Sequence, residues 1–195
     1  MPVSESFFPP AEPEPERPPL VLPEWISPPA DEYPARVLIR EFLARTPGTV
    51  LSLSHADVFS TGIRLKIEWQ VRRRAETAAE WQLASNFHGL GLDPAVQLRY
   101  GLALADGSVV TTAGRFGRAW DERPEGWSLI DHTGGGGGDE TRRTGGSGLW
   151  LWPLPPPGPL VLVAEWGARG VPESRLTIDG SALLAAVGGV RPLWP

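Results

Sequence analysis

The stretch Ile63–Arg72 reads IRLKIEWQVR and alternates apolar and polar residues at every one of its ten positions. Strict alternation of this kind is typical of an antiparallel strand that buries one face and exposes the other. Ser60-Thr61-Gly62 reads as a turn before it, and Thr49–Phe59 is a second apolar run entered through Pro47-Gly48. These segments together predict a β-hairpin.

The rest of the chain repeats this pattern of short apolar runs separated by glycine and proline. Asp106-Gly107 between two such runs predicts a tight hairpin, because both turn positions need positive φ. Arg36–Arg45 fits a helical stripe as well as a strand, and its neighbours favour a strand. Further strands are predicted at 97–105, 108–112, 149–152, 160–166 and 175–178.

The fold class that follows is mainly β, an antiparallel β-sandwich with one short C-terminal helix. Asp179 is expected to cap that helix, which runs over residues 180–187 and ends at Gly188-Gly189. The sequence leaves open whether the strand order is immunoglobulin-like or jelly-roll, because strand pairing depends on connections that the pattern does not define.

Two domain-level segments are predicted around this core. Residues 1–34 carry eleven prolines and several glutamates, which predicts an extended acidic tail rather than a helix. Such a tail is either disordered, with a few residues resting on the domain, or a segment that docks on a partner. Residues 35–195 form the sandwich domain. Within it the glycine-rich stretch at about 114–148 is predicted to be a long mobile loop.

Composition excludes several classes of protein. The net charge of −5 argues against nucleic-acid binding, which relies on a basic surface. The absence of cysteine rules out disulfides, thiolate metal sites and cysteine nucleophiles. The first residues lack a signal-peptide pattern, and the longest apolar stretch, around Leu160–Ala164, is too short to span a bilayer. A cytoplasmic protein without membrane insertion is therefore expected.

No catalytic or metal-binding constellation stands out. His55, His88 and His132 are scattered, and no spacing typical of zinc ligands accompanies them. A general base needs a positioned partner and a pocket, and the sequence indicates neither. The glycine runs lack the lysine of a phosphate-binding loop. No catalytic residue, no metal and no cofactor is predicted, and the chain is expected not to be an enzyme.

Nine tryptophans are the most unusual feature of the composition. Trp150 and Trp152 fall on one face of a strand whose other face is also apolar, so this strand is either covered on both sides or forms an interface. The tail with Trp25, or the C-terminal arm with Trp194, could supply the cover. The interface hypothesis names four residues: Trp25, Trp150, Trp152 and Trp166.

The polar face of the predicted strand Ile63–Arg72 is basic. Arg64, Lys66 and Arg72 lie on it, which favours either contact with an anionic partner or an ordinary solvated face. A third possibility is internal, with Glu12, Glu14 and Glu16 of the acidic tail lying across these cations.

One segment carries a resemblance. Trp152–Leu160 reads WPLPPPGPL, and Glu165-Trp166 and Val171-Pro172-Glu173 follow it. Together they resemble a group of uncharacterised proteins from high-GC actinobacteria, over roughly residues 23–195. The resemblance implies a cytoplasmic bacterial protein and implies no activity.

The leading functional hypothesis is a non-enzymatic interaction or structural module. It would bind a protein partner, or a second copy of itself, through the tryptophan-bearing strand and the tail. One alternative is a sandwich that binds a carbohydrate or another small ligand through exposed tryptophans. A second alternative is an enzyme with a site in the 114–148 loop.

Overall fold

Two antiparallel β-sheets make up most of the chain that the computed structural model describes, which comprises residues 21–83, 97–112 and 122–195. The strands are β1 (Glu32–Tyr33), β2 (Ala35–Arg45), β3 (Thr49–Val58), β4 (Ile63–Arg72), β5 (Leu98–Ala103), β6 (Val109–Thr111), β7 (Ser128–Thr133), β8 (Gly137–Gly138), β9 (Arg142–Trp152), β10 (Pro159–Trp166), β11 (Val171–Asp179) and β12 (Arg191–Pro192). The helices are α1 (Ala78–Leu83) and α2 (Gly180–Ala185), with 3-10 turns at Gly167–Arg169 and Ala186–Gly189.

The sheets have different sizes and a defined strand order. The larger sheet runs β2-β3-β4-β9-β7, with β8 pairing beside β9, and the smaller sheet runs β11-β10-β5-β6. β1 and β12 pair separately, and we call this two-stranded element the terminal ribbon. The predicted mainly-β fold with antiparallel sheets and a short C-terminal helix is confirmed. The paired strands β3 and β4 are the hairpin that the alternation in Ile63–Arg72 predicts.

The core lies between the two sheets. The apolar residues of β4 point inward and are almost fully buried, as the alternation requires. Trp69 of the larger sheet and Trp166 of the smaller sheet meet edge to face, with ring centroids 5.7 Å apart. Edge-to-face contact is favourable for aromatic pairs, so this contact stabilises the packing of the two sheets.

Several local predictions are confirmed. Arg36–Arg45 lies within a strand, β2. The predicted hairpin at Asp106-Gly107 joins β5 and β6, with Gly107 at φ of 86°, but Asp106 does not have the positive φ expected of it. The Asp179 carboxylate accepts a hydrogen bond from the backbone N–H of Ala182 at 3.1 Å and so caps α2. Helix α1 was not predicted, although Thr77 and Glu80 form the reciprocal hydrogen bonds of a capping box, a signal that the sequence carries.

The predicted mobile loop at about 114–148 is wrong for most of its described part. Residues 128–133, 137–138 and 142–148 are strand, and they complete the larger sheet. Several of the glycines, although not Gly135 and Gly137, lie where neighbouring atoms approach too closely for a Cβ. A Cβ on Gly136 would lie 2.6 Å from the carbonyl oxygen of Thr144. The portion of this prediction over residues 114–121 lies outside the described residues.

The predicted boundary at residue 34 is also wrong. Ile26 is only 7% exposed, and the backbone at Pro23–Ser27 forms a hydrogen-bonded turn against the larger sheet. Tyr33 and Glu32 pair with the C-terminal arm in the terminal ribbon. The sandwich domain therefore includes these residues. Predictions about residues 1–20, including the positions of Glu12, Glu14 and Glu16, lie outside the described residues.

Within the described ranges, no helix combines the length and the apolar character needed to cross a bilayer.

Candidate interaction surface

The outer face of the larger sheet carries a second, smaller apolar cluster. Phe59, Trp150 and Trp152 are each at most 5% exposed, and Trp25 and Ile130 pack against them. Phe59 meets Trp150 edge to face at 5.6 Å, and Trp25 meets Trp152 at 6.2 Å. We call this group the outer tryptophan cluster. Gly62 makes room for it, since a Cβ there would lie 2.5 Å from the Trp150 ring.

Backbone hydrogen bonds hold the turn at Pro23–Ser27 over this cluster. The indole N–H of Trp150 donates to the carbonyl of Glu24 at 2.8 Å. Ser128 donates to the carbonyl of Trp25 at 3.0 Å, and the Nε2 of His132 lies 2.7 Å from the carbonyl oxygen of Ile26. Side chains on β7 and β9 therefore bind three successive carbonyls of the N-terminal segment.

These contacts correct the predicted interface. Trp150 and Trp152 are buried beneath the N-terminal segment, and Trp166 is 2% exposed in the core between the sheets. Trp25 is half-buried and supplies the cover. The alternative that the tail covers the two-sided apolar strand is the one the structure supports. The folded chain does not offer these four residues as a free surface.

Two cations of the predicted anion-facing strand already bind acceptors within the chain. Asp57 is 3% exposed, and it accepts hydrogen bonds from Arg36 Nε at 2.8 Å and Arg64 Nη2 at 2.9 Å. Burial raises the pKa of Asp57, but the hydrogen bonds from the two guanidinium groups outweigh burial and leave the pKa lowered. Arg64 is thus the partner of a buried carboxylate on its own sheet.

The other two cations of that strand behave differently. Arg72 donates from Nε to the carbonyl of Pro47 at 2.7 Å, so it braces the β2–β3 turn. The ammonium of Lys66 lies beside Gly146 on β9 and Gly134 after β7, neither of which has a side chain to obstruct it. The structure therefore brings Arg64 and Lys66 together on the outer face and places Arg72 at the end of the sheet.

Ser54, His55 and Asp57 lie close enough to suggest a catalytic triad, but the geometry does not form one. Ser54 Oγ is 3.0 Å from His55 Nδ1, whereas His55 Nε2 is 3.8 Å from Asp57 Oδ1, beyond hydrogen-bond reach. Ser54 also lies 3.2 Å from the carbonyl of Lys66, to which it donates. His132 is engaged with Ile26, and His88 lies outside the described residues. In the described ranges no group of acidic or histidine side chains has the arrangement of a metal site.

Large apolar side chains are exposed at the terminal ribbon, and others are exposed at Leu38 and Phe42 on β2 and at Val109 on β6. Tyr33 is 63% exposed, Leu193 is 43% exposed and Trp194 is 72% exposed. Its register places Tyr33 opposite Arg191, and the backbone N–H of Leu193 donates to the backbone carbonyl of Asp31 at 2.7 Å. The opposite face is anchored through Glu32, whose carboxylate accepts hydrogen bonds from the backbone N–H and hydroxyl of Ser60.

Sequence reasoning missed this surface because β1 and β12 are two residues each, too short to give an alternation. Trp194 was considered only as a possible cover for the tryptophan-bearing strand. The sequence does carry one signal for this surface. Leu193 and Trp194 form an apolar pair after Pro192, close to a chain end where no neighbouring segment is predicted to cover them.

Comparison with known proteins adds no name to this site: no family model matches the chain, no curated protein is similar to it, and no solved structure matches it.

Proposed function

We propose that the protein is a non-enzymatic structural module that pairs with a second copy of itself through the outer face of the terminal ribbon. The observation that carries the proposal is the exposed face formed by Asp31, Tyr33, Arg191 and Leu193, all four of which are exposed. Exposed large apolar side chains grouped on one element are typical of interaction sites rather than of ordinary surface.

The face is self-complementary in charge. The antiparallel register puts the four side chains at the corners of a rectangle, with Asp31 diagonal to Arg191 and Tyr33 diagonal to Leu193. A two-fold axis along the Tyr33–Leu193 diagonal would place each Asp31 on the second copy's Arg191. The same axis brings Tyr33 onto Tyr33 and Leu193 onto Leu193. Two-fold contacts require this kind of self-complementary patch.

Two further features support pairing at this place. In the described part of the chain neither Asp31 nor Arg191 has an ion-pair partner of its own, so both are available. Trp194 extends the apolar surface beside the ribbon, and tryptophan is enriched among the residues that dominate binding energy. A face of this size buries less than a standard interface, so we expect a weak pair that dissociates on dilution.

The proposal places the protein outside catalysis, membrane insertion and nucleic-acid binding, and in the cytoplasm of a high-GC actinobacterium. What supports a role outside catalysis is the engagement of His55 and His132 with neighbouring groups, and what supports a role outside nucleic-acid binding is the net charge of −5. A carbohydrate platform is less favoured, since Trp150 and Trp152 are covered.

The test is the molar mass of the full chain by sedimentation velocity from micromolar to millimolar concentration. We expect the wild type to shift from monomer to dimer, and Arg191→Asp to remain monomeric because it places a carboxylate on Asp31. The double variant Asp31→Arg with Arg191→Asp should recover the dimer, since it restores the pairing with signs exchanged. Arg142→Asp, an exposed arginine on β9, is the control with the same charge change.

A wild type that stays monomeric at millimolar concentration would overturn the proposal. So would a dimer that survives Arg191→Asp unchanged, because the contact would then lie elsewhere.

A further inference from the structure

A cleft of about 450 Å³ opens at one end of the sandwich, away from the terminal ribbon's outer face. Three segments form its walls: the turn Thr46–Thr49 between β2 and β3, the stretch Arg72–Glu76 after β4, and the turn Ala168–Gly170 between β10 and β11. This volume is within the range of sites that hold small molecules.

The charges that line the cleft are unbalanced. Arg72, Arg74 and Arg169 line it together with a single carboxylate, Glu76. That carboxylate is already engaged, because Oε2 accepts a hydrogen bond from the backbone N–H of Arg74 at 2.7 Å and Oε1 lies 3.5 Å from Arg169 Nη1. The backbone hydrogen bonds lower the pKa of Glu76, so it stays ionised and offsets one of the three cations. Two positive charges remain in excess.

Arg169 gives the cleft a preorganised floor. Its side chain is only 4% exposed, and its guanidinium lies over the ring of the buried Trp81, 5.1 Å from the centroid. Arg143 approaches the same ring at 5.8 Å. Trp81 is itself fixed, since its indole N–H donates to the carbonyl of Asp139 at 3.2 Å. Two guanidinium groups held near one ring, with little water around Arg169, make the local potential strongly positive.

The mouth of the cleft provides the other cations. Arg72 and Arg74 are both exposed there. Arg72 uses Nε on Pro47 and keeps its two terminal nitrogens for other partners. The aliphatic part of the Arg74 side chain packs against Gly48. In the described ranges the guanidinium of Arg74 has no hydrogen-bond acceptor or ion-pair partner. Guanidinium groups bind oxyanions through paired hydrogen bonds, which suits them to phosphate and carboxylate.

We propose that this cleft binds a small molecule through a multivalent oxyanion, with Arg169 at the floor and Arg72 and Arg74 at the mouth. Phosphate esters and polycarboxylates share the chemistry that these residues recognise. The cleft and the terminal ribbon are separate surfaces, so this site does not depend on the proposed pairing.

The test is isothermal titration of the full chain with inorganic phosphate, citrate and glucose at constant ionic strength. We expect saturable binding of at least one of the two anions and none of glucose. Arg74→Gln should weaken that binding by about tenfold, the loss of one charge-assisted pair. Arg45→Gln, an arginine outside the cleft, should bind like the wild type, as should the pairing variant Arg191→Asp.

Phosphate binding without citrate binding would identify a phosphorylated ligand, and citrate binding without phosphate binding would identify a polycarboxylate; either result supports the site. Failure of both anions to saturate, or equal affinity in the wild type and Arg74→Gln, would overturn it. Arg74 is exposed, so its substitution leaves the fold intact and the comparison stays valid.

Discussion

The indole ring of Trp69 on β4 lies directly against the backbone of Gly145, the residue opposite it on β9. No space exists there for even a methyl group. We therefore expect Gly145→Ala to lower the free energy of unfolding by about 1–3 kcal/mol, because an extra carbon in a filled site forces the tryptophan out of position. Urea denaturation followed by far-UV circular dichroism measures this directly.

Gly135→Ala is the matched control for that substitution. A Cβ at Gly135 meets nothing within 4 Å, and its backbone does not require positive φ. Restricting the unfolded chain should leave stability unchanged or raise it by up to about 1 kcal/mol. Equal losses in the two variants would show that glycine content, and not the contact with Trp69, determines the effect.

The glycine run shows where sequence reasoning succeeds and where it fails. The alternation in Ile63–Arg72 predicts the central strand correctly, because local period-two patterning reports which face is buried. The same reasoning reads 134–148 as a mobile loop, because glycine has no side chain to display a pattern. The reason for glycine at Gly145 and Gly136 lies on neighbouring segments, where the Trp69 ring and the Thr144 carbonyl leave no room for a Cβ.

Asp57 and His55 predict an acid destabilisation in two stages. The pKa of His55 is lowered below its ordinary value of 6.5, chiefly by burial and then by the charge of Arg36, so the fold favours the neutral ring. The stabilisation of the fold by neutral His55 is complete above pH 6.5 and is lost as the pH falls from 6.5 to the lowered pKa. The pKa of Asp57 is lowered below 3.8, so its contribution persists to lower pH and is lost as the pH falls through that lowered pKa.

Single substitutions separate these two stages in urea titrations repeated between neutral and acidic pH. We expect Asp57→Asn to cost about 1–3 kcal/mol at neutral pH, because asparagine carries no negative charge and its single acceptor oxygen cannot serve both guanidinium groups, and to match the wild type only at the most acidic end. His55→Gln should lose less stability than the wild type when the pH falls below 6.5. A constant difference between Asp57→Asn and the wild type at every pH would contradict the assignment.

The candidate surfaces were only partly accessible to prediction. The sequence identified Trp150 and Trp152 as sharing one face of a strand with apolar residues on both sides, and this is correct. It could not decide what covers them, because the cover comes from Glu24–Ile26, more than a hundred residues away and in a segment where proline hides any periodicity. The sequence could not predict the arginine cleft either, because Arg74 and Arg169 are far apart along the chain and come together only in the folded structure.

Trp25 and Trp150 give a prediction about what holds this cover in place. The indole N–H of Trp150 donates to the carbonyl of Glu24 at 2.8 Å, whereas the buried indole N–H of Trp25 has no acceptor within the described residues. Trp150→Phe removes a made hydrogen bond and leaves the Glu24 carbonyl unpaired. Trp25→Phe removes a donor that is buried without a partner.

Both substitutions exchange the same ring for a smaller one, and the fully buried Trp150 also loses more packing than the half-buried Trp25. We expect Trp150→Phe to be less stable than Trp25→Phe by about 1–3 kcal/mol, the cost of a buried polar group left unsatisfied. The comparison uses chemical denaturation of the two variants and the wild type under identical conditions. If Trp25→Phe is the more damaging change, the cover is held by apolar packing of Trp25 and not by its hydrogen bonds to the sheet.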